Sequence, residues 1–324
     1  MAPPPQNIHY ETNIFYFWPN KYIDVYIKDR KKYLLQILFC YIRALISRIC
    51  QILFIAVHAD IVIFQKAIIP KFPIFLIRFL KKHGVKLVFD VDDAIYLQKG
   101  DYSIKYVSDM DLILVGNNQL KLFYQKYNSM TKLIPTVEKS SLYRNVIHNT
   151  YENKCIGWMG SLRTIDNLDL VVNAINAVIK KHPEIKFKII SDGSAGYDEC
   201  IKNAIFEKWD ENYIEHIKEF SIGIMPLKDT AFNEGKCGFK LIQYLNLQIP
   251  VLASNVGVNA EIIADYGYIC RTEAEWENNI EKLLFEEEEY IKCKENIKRT
   301  SNKRYGYEEN WKLIQDSLKS LISN

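Results

Sequence analysis

The chain is predicted to be an α/β protein of two doubly wound domains, and three observations carry that prediction. Short continuous apolar runs recur along it, as expected of strands covered on both faces. Segments of helical period separate these runs, the pattern of a parallel sheet. The length of 324 residues, 48% hydrophobic and 25% charged, suits a soluble chain with two cores.

Taken in order, KKYLLQILFCYIRALISRICQILFIAV (31–57) reads as one long helix. Its polar stripe is narrow, Lys32, Gln36, Arg43, Ser47 and Gln51, and the remainder is broadly apolar. Two placements fit: burial between a sheet and another helix, or a basic and apolar face resting on an anionic membrane. ADIVIFQK (59–66) follows as a strand, PIFLIRFLKKHG (73–84) as a helix and KLVFDV (86–91) as a strand. DLILVGN (111–117), a helix in LKLFYQKY (120–127) and TKLIPTV (131–137) complete the first domain. EKSSLYRNVIHNTYEN (138–153) is polar and irregular, so the boundary is placed there, giving domains 1–150 and 151–324.

The second half repeats the alternation. KCIGWMG (154–160), FKIISDG (187–193), SIGIMPL (221–227) and PVLAS (250–254) read as strands. NLDLVVNAINAVIKKH (167–182), ENYIEHIKEF (211–220) and GFKLIQYLNL (238–247) read as helices, and the chain beyond Thr272 is nearly all helical.

Composition narrows the function. Seven cysteines stand apart, odd in number and never as C-x-x-C, so neither a disulfide framework nor a zinc site is expected. No nucleic-acid partner is expected. The net charge of +3 conceals twelve Lys and Arg against three Asp between Lys21 and Lys82, the remainder being net acidic. MAPPPQNIHYETN has neither the basic start nor the apolar core of a signal peptide, which predicts a cytoplasmic protein, peripheral on the inner membrane face if the long helix rests there.

Chemistry concentrates in GKCGFKLIQYLNLQIPVLAS (235–254). With a helix start marked by Gly235 and Gly238, a 100° period puts Lys236, Lys240 and Gln243 on one outward face and Leu241, Ile242 and Leu245 on the opposite, packed one. Free backbone N–H groups, the positive end of the dipole and two ammonium groups then suit a phosphate. The same residues also fit a solvated lysine face. Upstream, GWMGSLRT (157–164) offers Gly160, Ser161 and Arg163 as a second place for phosphate oxygens. Trp158 and the Tyr-rich composition invite an aromatic sugar platform, but 37 Tyr and Phe are spread along the chain and most must be core.

KLVFDVDDAIY (86–96) places Asp90, Asp92 and Asp93 behind a strand. Three functional readings compete, a phosphatase nucleophile and acid, an Asp-x-Asp metal pair, and a polar lip on a cleft that needs no metal, beside the plainer one that all three merely terminate the strand. Ala94 stands where the phosphatase pattern wants Thr or Val, and a metal-dependent transferase of one domain leaves the second half unexplained.

The order FDVDDAIY, IGWMGS, FSIGIMPL, GKCGFKLIQYL and PVLASNVGVNAEII resembles the group 1, or family 4, glycosyltransferases of GT-B fold over roughly 58–265. The resemblance implies two Rossmann-like domains, a nucleotide-sugar donor on the second, an acceptor on the first, and transfer with retention without a metal or other cofactor. It implies that Lys240 and Lys236 hold the donor diphosphate and that Asp92 and Asp93 bind acceptor hydroxyls or assist proton removal; Gly160, Ser161 and Arg163 join the donor site on the reading of the residues alone. The function expected is transfer of a sugar to a glycan or lipid-linked glycan in surface polysaccharide biosynthesis. Gln243 departs from the Glu that similar sequences hold against ribose hydroxyls. An amide accepts more weakly than a carboxylate, so Gln243→Glu is expected to tighten donor binding. Leu247, Gln248 and Ile249 also depart, and so does the beginning of the chain, where the usual opening strand, loop and helix of the first domain are missing. These departures support the alternative of a degenerate homologue that binds a nucleotide sugar or a partner transferase without efficient turnover. With the opening unit missing, DIVIF (60–64) is expected to pair with NIFYFW (13–18) rather than expose an edge.

Overall fold

The computed structural model describes residues 11–18, 32–65, 74–99, 101–143, 146 and 151–322. Lys31, Lys66 and Pro73, and residues 144, 145 and 147–150 of the expected boundary, lie outside them. The chain divides into two compact units. One runs to Ile134 and takes back Leu313–Asn324, and the other runs from Pro135 to Lys312. The division thus falls earlier than the expected 150/151, and the reason is packing. Tyr143 is buried in the core of the second unit, with Val137 and Val146 against it, although the text around them is polar.

The first unit contains α1 (Leu34–Phe54), β1 (Ile61–Gln65), α2 (Phe75–Lys82), β2 (Lys86–Val91), β3 (Leu112–Val115), α3 (Asn118–Tyr124) and β4 (Thr131–Leu133). Its four strands are parallel, in the order β1-β2-β3-β4, with Val62 opposite Leu87 and Val88 opposite Leu112. Asn117 starts α3 by accepting from the Leu120 N–H at 2.8 Å, a side-chain N-cap.

Two expectations for this unit are corrected. Among the described residues, 13–18 form no strand and β1 pairs with β2 alone. The aromatic residues find α1 instead: Phe17 and Trp18 lie 5.9 and 5.8 Å from the Tyr41 ring, and Arg48 donates to the Phe15 carbonyl at 3.1 Å. Nor is α1 buried between a sheet and another helix, since Ile52 is its one buried residue.

The second unit holds a six-stranded parallel sheet of β5 (Cys155–Met159), β6 (Lys186–Ser191), β7 (Ala204–Lys208), β8 (Ile222–Met225), β9 (Val251–Ser254) and β10 (Gly267–Cys270). The helices among and after them are α4 (Val172–Lys181), α5 (Tyr197–Cys200), α6 (Tyr213–Ile217), α7 (Ala231–Glu234), α8 (Phe239–Asn246), α9 (Asn259–Ile263), α10 (Glu273–Phe285) and α11 (Glu287–Tyr305). A 3-10 helix, Leu162–Leu170, precedes α4, and α12 (Tyr307–Ile322) crosses into the first unit. The strand order is β10-β9-β8-β5-β6-β7. The sheet therefore winds one way from β5 and the other way from β8, leaving a switch point between them.

Alternation along each strand builds two cores. Cys155, Met159, Ile190, Val251 and Ala253 pack on one face with Leu241, Leu245 and Ile262. Ile156, Trp158, Phe187, Ile189 and Leu252 pack on the other with Ile175, Val178 and Ile280. The two strands the sequence did not announce, β7 and β10, are the edges of the sheet, where pairing on one side alone lets short, only partly buried runs suffice.

Candidate anion-binding site

Four elements converge where β5 and β8 end. The Met159 N–H donates to the Tyr244 hydroxyl at 3.0 Å, which ties the last residue of β5 to the second turn of α8. Tyr244 is fully buried, so the tie is sheltered from water. One helical turn before it, the Lys240 ammonium lies over the Trp158 ring, 4.5 Å from its centroid. Just beyond the end of β5 is Gly160. A Cβ there would meet Trp158 at 2.4 Å and Lys240 Nζ at 2.6 Å, so only glycine leaves the lysine its place. Gly238, N-cap of α8 at φ +69°, sits in the left-handed region that favours glycine, against Ile262.

This geometry alters the Lys240 ammonium. Burial disfavours its charge and Lys236 repels it, so its pKa is lowered from 10.5 to about 7. The aromatic face beneath and the N-terminal dipole end of α8 do not replace the lost water, and an anion would. Trp158 is 1% exposed and is thus no sugar platform: it is a core residue whose ring face carries the lysine.

Other expected residues stand differently from their placement on a single helical face. The helix begins at Phe239, so Lys236 lies in the turn between α7 and α8 rather than on α8, yet close enough to shift Lys240. Gln243 does not face outward: it is buried at 5% exposure. Ser161 and Arg163 are exposed where the Leu162–Leu170 helix starts. The backbone of that loop is already engaged in part. The Gly160 N–H donates to Ile190 O at 3.0 Å, and the Leu162 N–H donates to the Asp192 carboxylate. Gly160 therefore serves the site by its missing side chain rather than by a free donor.

Sequence reasoning missed the residues that hold the loops. Asn167, buried, donates to Thr164 O and accepts from the Lys228 N–H, both at 2.8 Å, which joins the loop after β5 to the loop after β8. Asn233 donates to Lys228 O at 2.7 Å, and Lys228 itself reaches Asp166 and Asp169 at 3.0 and 2.9 Å. The Glu234 carboxylate accepts from the Gly257 N–H at 3.0 Å and holds the loop after β9. Of these, only the Asn-Leu pair at 167–168 carries a signal in the sequence, and it is one of order, not of bonding.

In the first unit, Asp92 and Asp93 follow β2 and are partly buried, between buried Val91 and buried Ala94, with Asp90 inside the strand. Among the described residues no group of three or more His, Cys, Asp or Glu is placed to hold a metal ion.

Residues 153–286 match the family described as Glycosyl transferases group 1. A search of curated protein sequences finds no match. Among solved structures, a mutant of S. aureus TarM in complex with fondaparinux, alpha-GlcNAc-glycerol and UDP is similar at a TM-score of 0.62 and 13% identity, over 82% of this chain and 55% of that one. The chain thus spans about half the length of TarM. A glycosyltransferase from Rickettsia africae is similar at 0.66 and 13%, over 86% and 80% of the two chains. Anabaena HepE in complex with UDP-glucose is similar at 0.65 and 12%, over 86% and 82%.

Proposed function

With its residues 153–286 a group 1 glycosyl transferase domain and its fold of the GT-B kind, we propose that the chain is a glycosyltransferase drawing on a nucleotide-sugar donor. The observation that carries this reading is the Lys240 ammonium enclosed between Trp158 and Gly160 at the switch point of the second sheet. A diphosphate laid there meets two lysines and the opening N–H groups of α8, at the end of a helix where intrahelical acceptors are missing. As the bond from sugar C1 to phosphate oxygen breaks, these groups take up the charge left on the diphosphate, and an acceptor oxygen forms the new bond to C1. Asp92 and Asp93 of the first unit are assigned to the acceptor, one holding its hydroxyl and one taking its proton.

The finer reading is transfer with retention to a glycan or lipid-linked glycan in surface polysaccharide assembly, on the cytoplasmic side of a membrane. The long helix supports the membrane part. Leu34, Leu35, Leu38, Phe39, Ile42 and Ile46 of α1 are exposed, and Lys32 and Arg43 border them. The segment Leu34–His58 is long and apolar enough to cross a membrane. Arg43 and Arg48 near its middle favour a helix lying in the interface with its basic border at the headgroups. An enzyme whose acceptor sits in the bilayer gains access to it this way.

The test is a panel of UDP-, GDP- and ADP-sugars, with release of free nucleotide and the anomeric configuration of any product recorded, with and without EDTA. Turnover of one donor that survives EDTA is expected. Binding without turnover of any donor would support the degenerate reading, and turnover restored only by Mg or Mn would restore the Asp-x-Asp one.

A further inference from the structure

The groups around Lys240 suit a diphosphate, and an aromatic pair at the same edge of the sheet has no part in holding one. Trp209 follows β7, is 47% exposed, and stacks on Tyr213 with ring centroids 6.1 Å apart and planes at 15°. At that spacing the rings are offset, and much of the indole is open to solvent. Its support is fixed at the far end: the Tyr213 hydroxyl donates to one oxygen of the Glu138 carboxylate, and the hydroxyl of buried Tyr143 donates to the other.

The backbone places this pair relative to Gly160. From one side of β6 the Gly160 N–H donates to Ile190 O at 3.0 Å, and from the other side the Trp209 N–H donates to Ser191 O at 2.9 Å. Gly160, beside the Lys240 ammonium, and Trp209 are therefore two strand spacings apart, about 10 Å. Between them β6 runs out through Ser191, Asp192, Gly193 and Ser194, with no bulky side chain among them. The pair also lies on the face of the sheet that α8 covers, since Tyr213 and Ile217 of α6 pack into the same core as Leu241 and Leu245.

Resting on the reading of Lys240 as the diphosphate site, we propose that Trp209, backed by Tyr213, is the shelf on which the base of the nucleotide donor stacks. A nucleoside diphosphate is charged at one end and flat at the other, with a ribose between. The surface offers a cation at one end, an open ring face at the other, and small residues in the gap. Every base has a π face, so the shelf favours a nucleotide over a bare diphosphate without choosing among bases. Stacking is made alike in the ground and transition states, so it acts on KM rather than kcat.

The experiment compares the full chain with its Trp209→Ala and Trp209→Phe variants by calorimetric titration with UDP, GDP or ADP, whichever binds, and with pyrophosphate. Trp209→Ala is expected to weaken nucleotide binding about tenfold or more and pyrophosphate binding by no more than about twofold, since only the base meets the shelf. Trp209→Phe, which keeps a flat ring on Tyr213, is expected to recover most of the loss. In turnover Trp209→Ala should raise KM and leave kcat near its original value. Nucleotide binding unchanged in Trp209→Ala, an equal loss for pyrophosphate, or a Trp209→Phe variant no better than Trp209→Ala would each overturn the proposal. If nucleotide binds the unsubstituted chain, weakens in Lys240→Ala and ignores Trp209→Ala, the shelf alone fails. If no nucleotide binds the unsubstituted chain, the donor reading fails and the shelf fails with it.

Discussion

Lys240 combines the charge a diphosphate needs with a setting that withholds it. With its pKa lowered to about 7, the ammonium is expected to be partly deprotonated at neutral pH in the free protein, and a bound diphosphate to push the proton back on. UDP affinity is therefore expected to fall as pH rises from about 6 to about 9, with net proton uptake on binding at pH 8. Calorimetry in two buffers of different ionisation enthalpy measures that uptake, and none at pH 8 would count against the site. The sign for stability is separate. Between about 7 and 10.5 the unfolded chain holds the proton that the folded lysine has lost, so this group alone makes stability rise with pH across that window. Lys240→Ala removes a charge-assisted contact of about 1.5–3 kcal/mol, so UDP binding should weaken tenfold or more and lose its pH dependence. An unchanged titration in that variant would sink the assignment. At this scale Lys240 and Gly160 are legible in the sequence, because glycine and lysine at a helix start carry a local signal. Lys236, Gln243 and Trp158 are not, because whether a side chain faces out depends on where α8 begins and how it packs against the end of β5.

Among the elements, α1 and α8 show opposite relations between pattern and placement. The hydrophobic side of α8 is filled by the sheet, as Leu241, Ile242 and Leu245 predict, and its register is locked by Tyr244 on Met159. The apolar side of α1 has no such neighbour among the described residues, and a broad exposed apolar arc in water marks an interaction surface. The protein is expected to cosediment with vesicles containing anionic lipid, less with neutral ones, and less at about 0.5 M salt, where screening weakens headgroup attraction. Leu38→Glu with Ile42→Glu should abolish cosedimentation while UDP binding is unchanged, since neither residue belongs to the second unit. Vesicle binding that survives both substitutions would place the membrane surface elsewhere.

On the scale of the whole molecule, the last helix completes the first unit. Leu318 and Leu321 of α12 are buried with Val88, Leu112 and Leu114, and Lys132 donates to Ser317 at 3.2 Å. Leu318→Ala and Leu321→Ala are each expected to cost about 2–5 kcal/mol of the first unit's stability. Denaturant unfolding followed by a probe in each unit should show the first transition shifted to lower denaturant and the second in place. Equal shifts in both would mean the units unfold as one. By itself the sequence determined the fold class and the strands of both sheets apart from the edges β7 and β10, since buried parallel strands are written in contiguous residues. Only the tertiary structure decided that the units divide at 134/135, that α12 returns to the first, that 13–18 rests on α1 instead of β1, and that Gln243 is buried. Each of those depends on contacts between residues dozens to hundreds of positions apart, whose partners are chosen by packing and by the need of every buried donor for an acceptor.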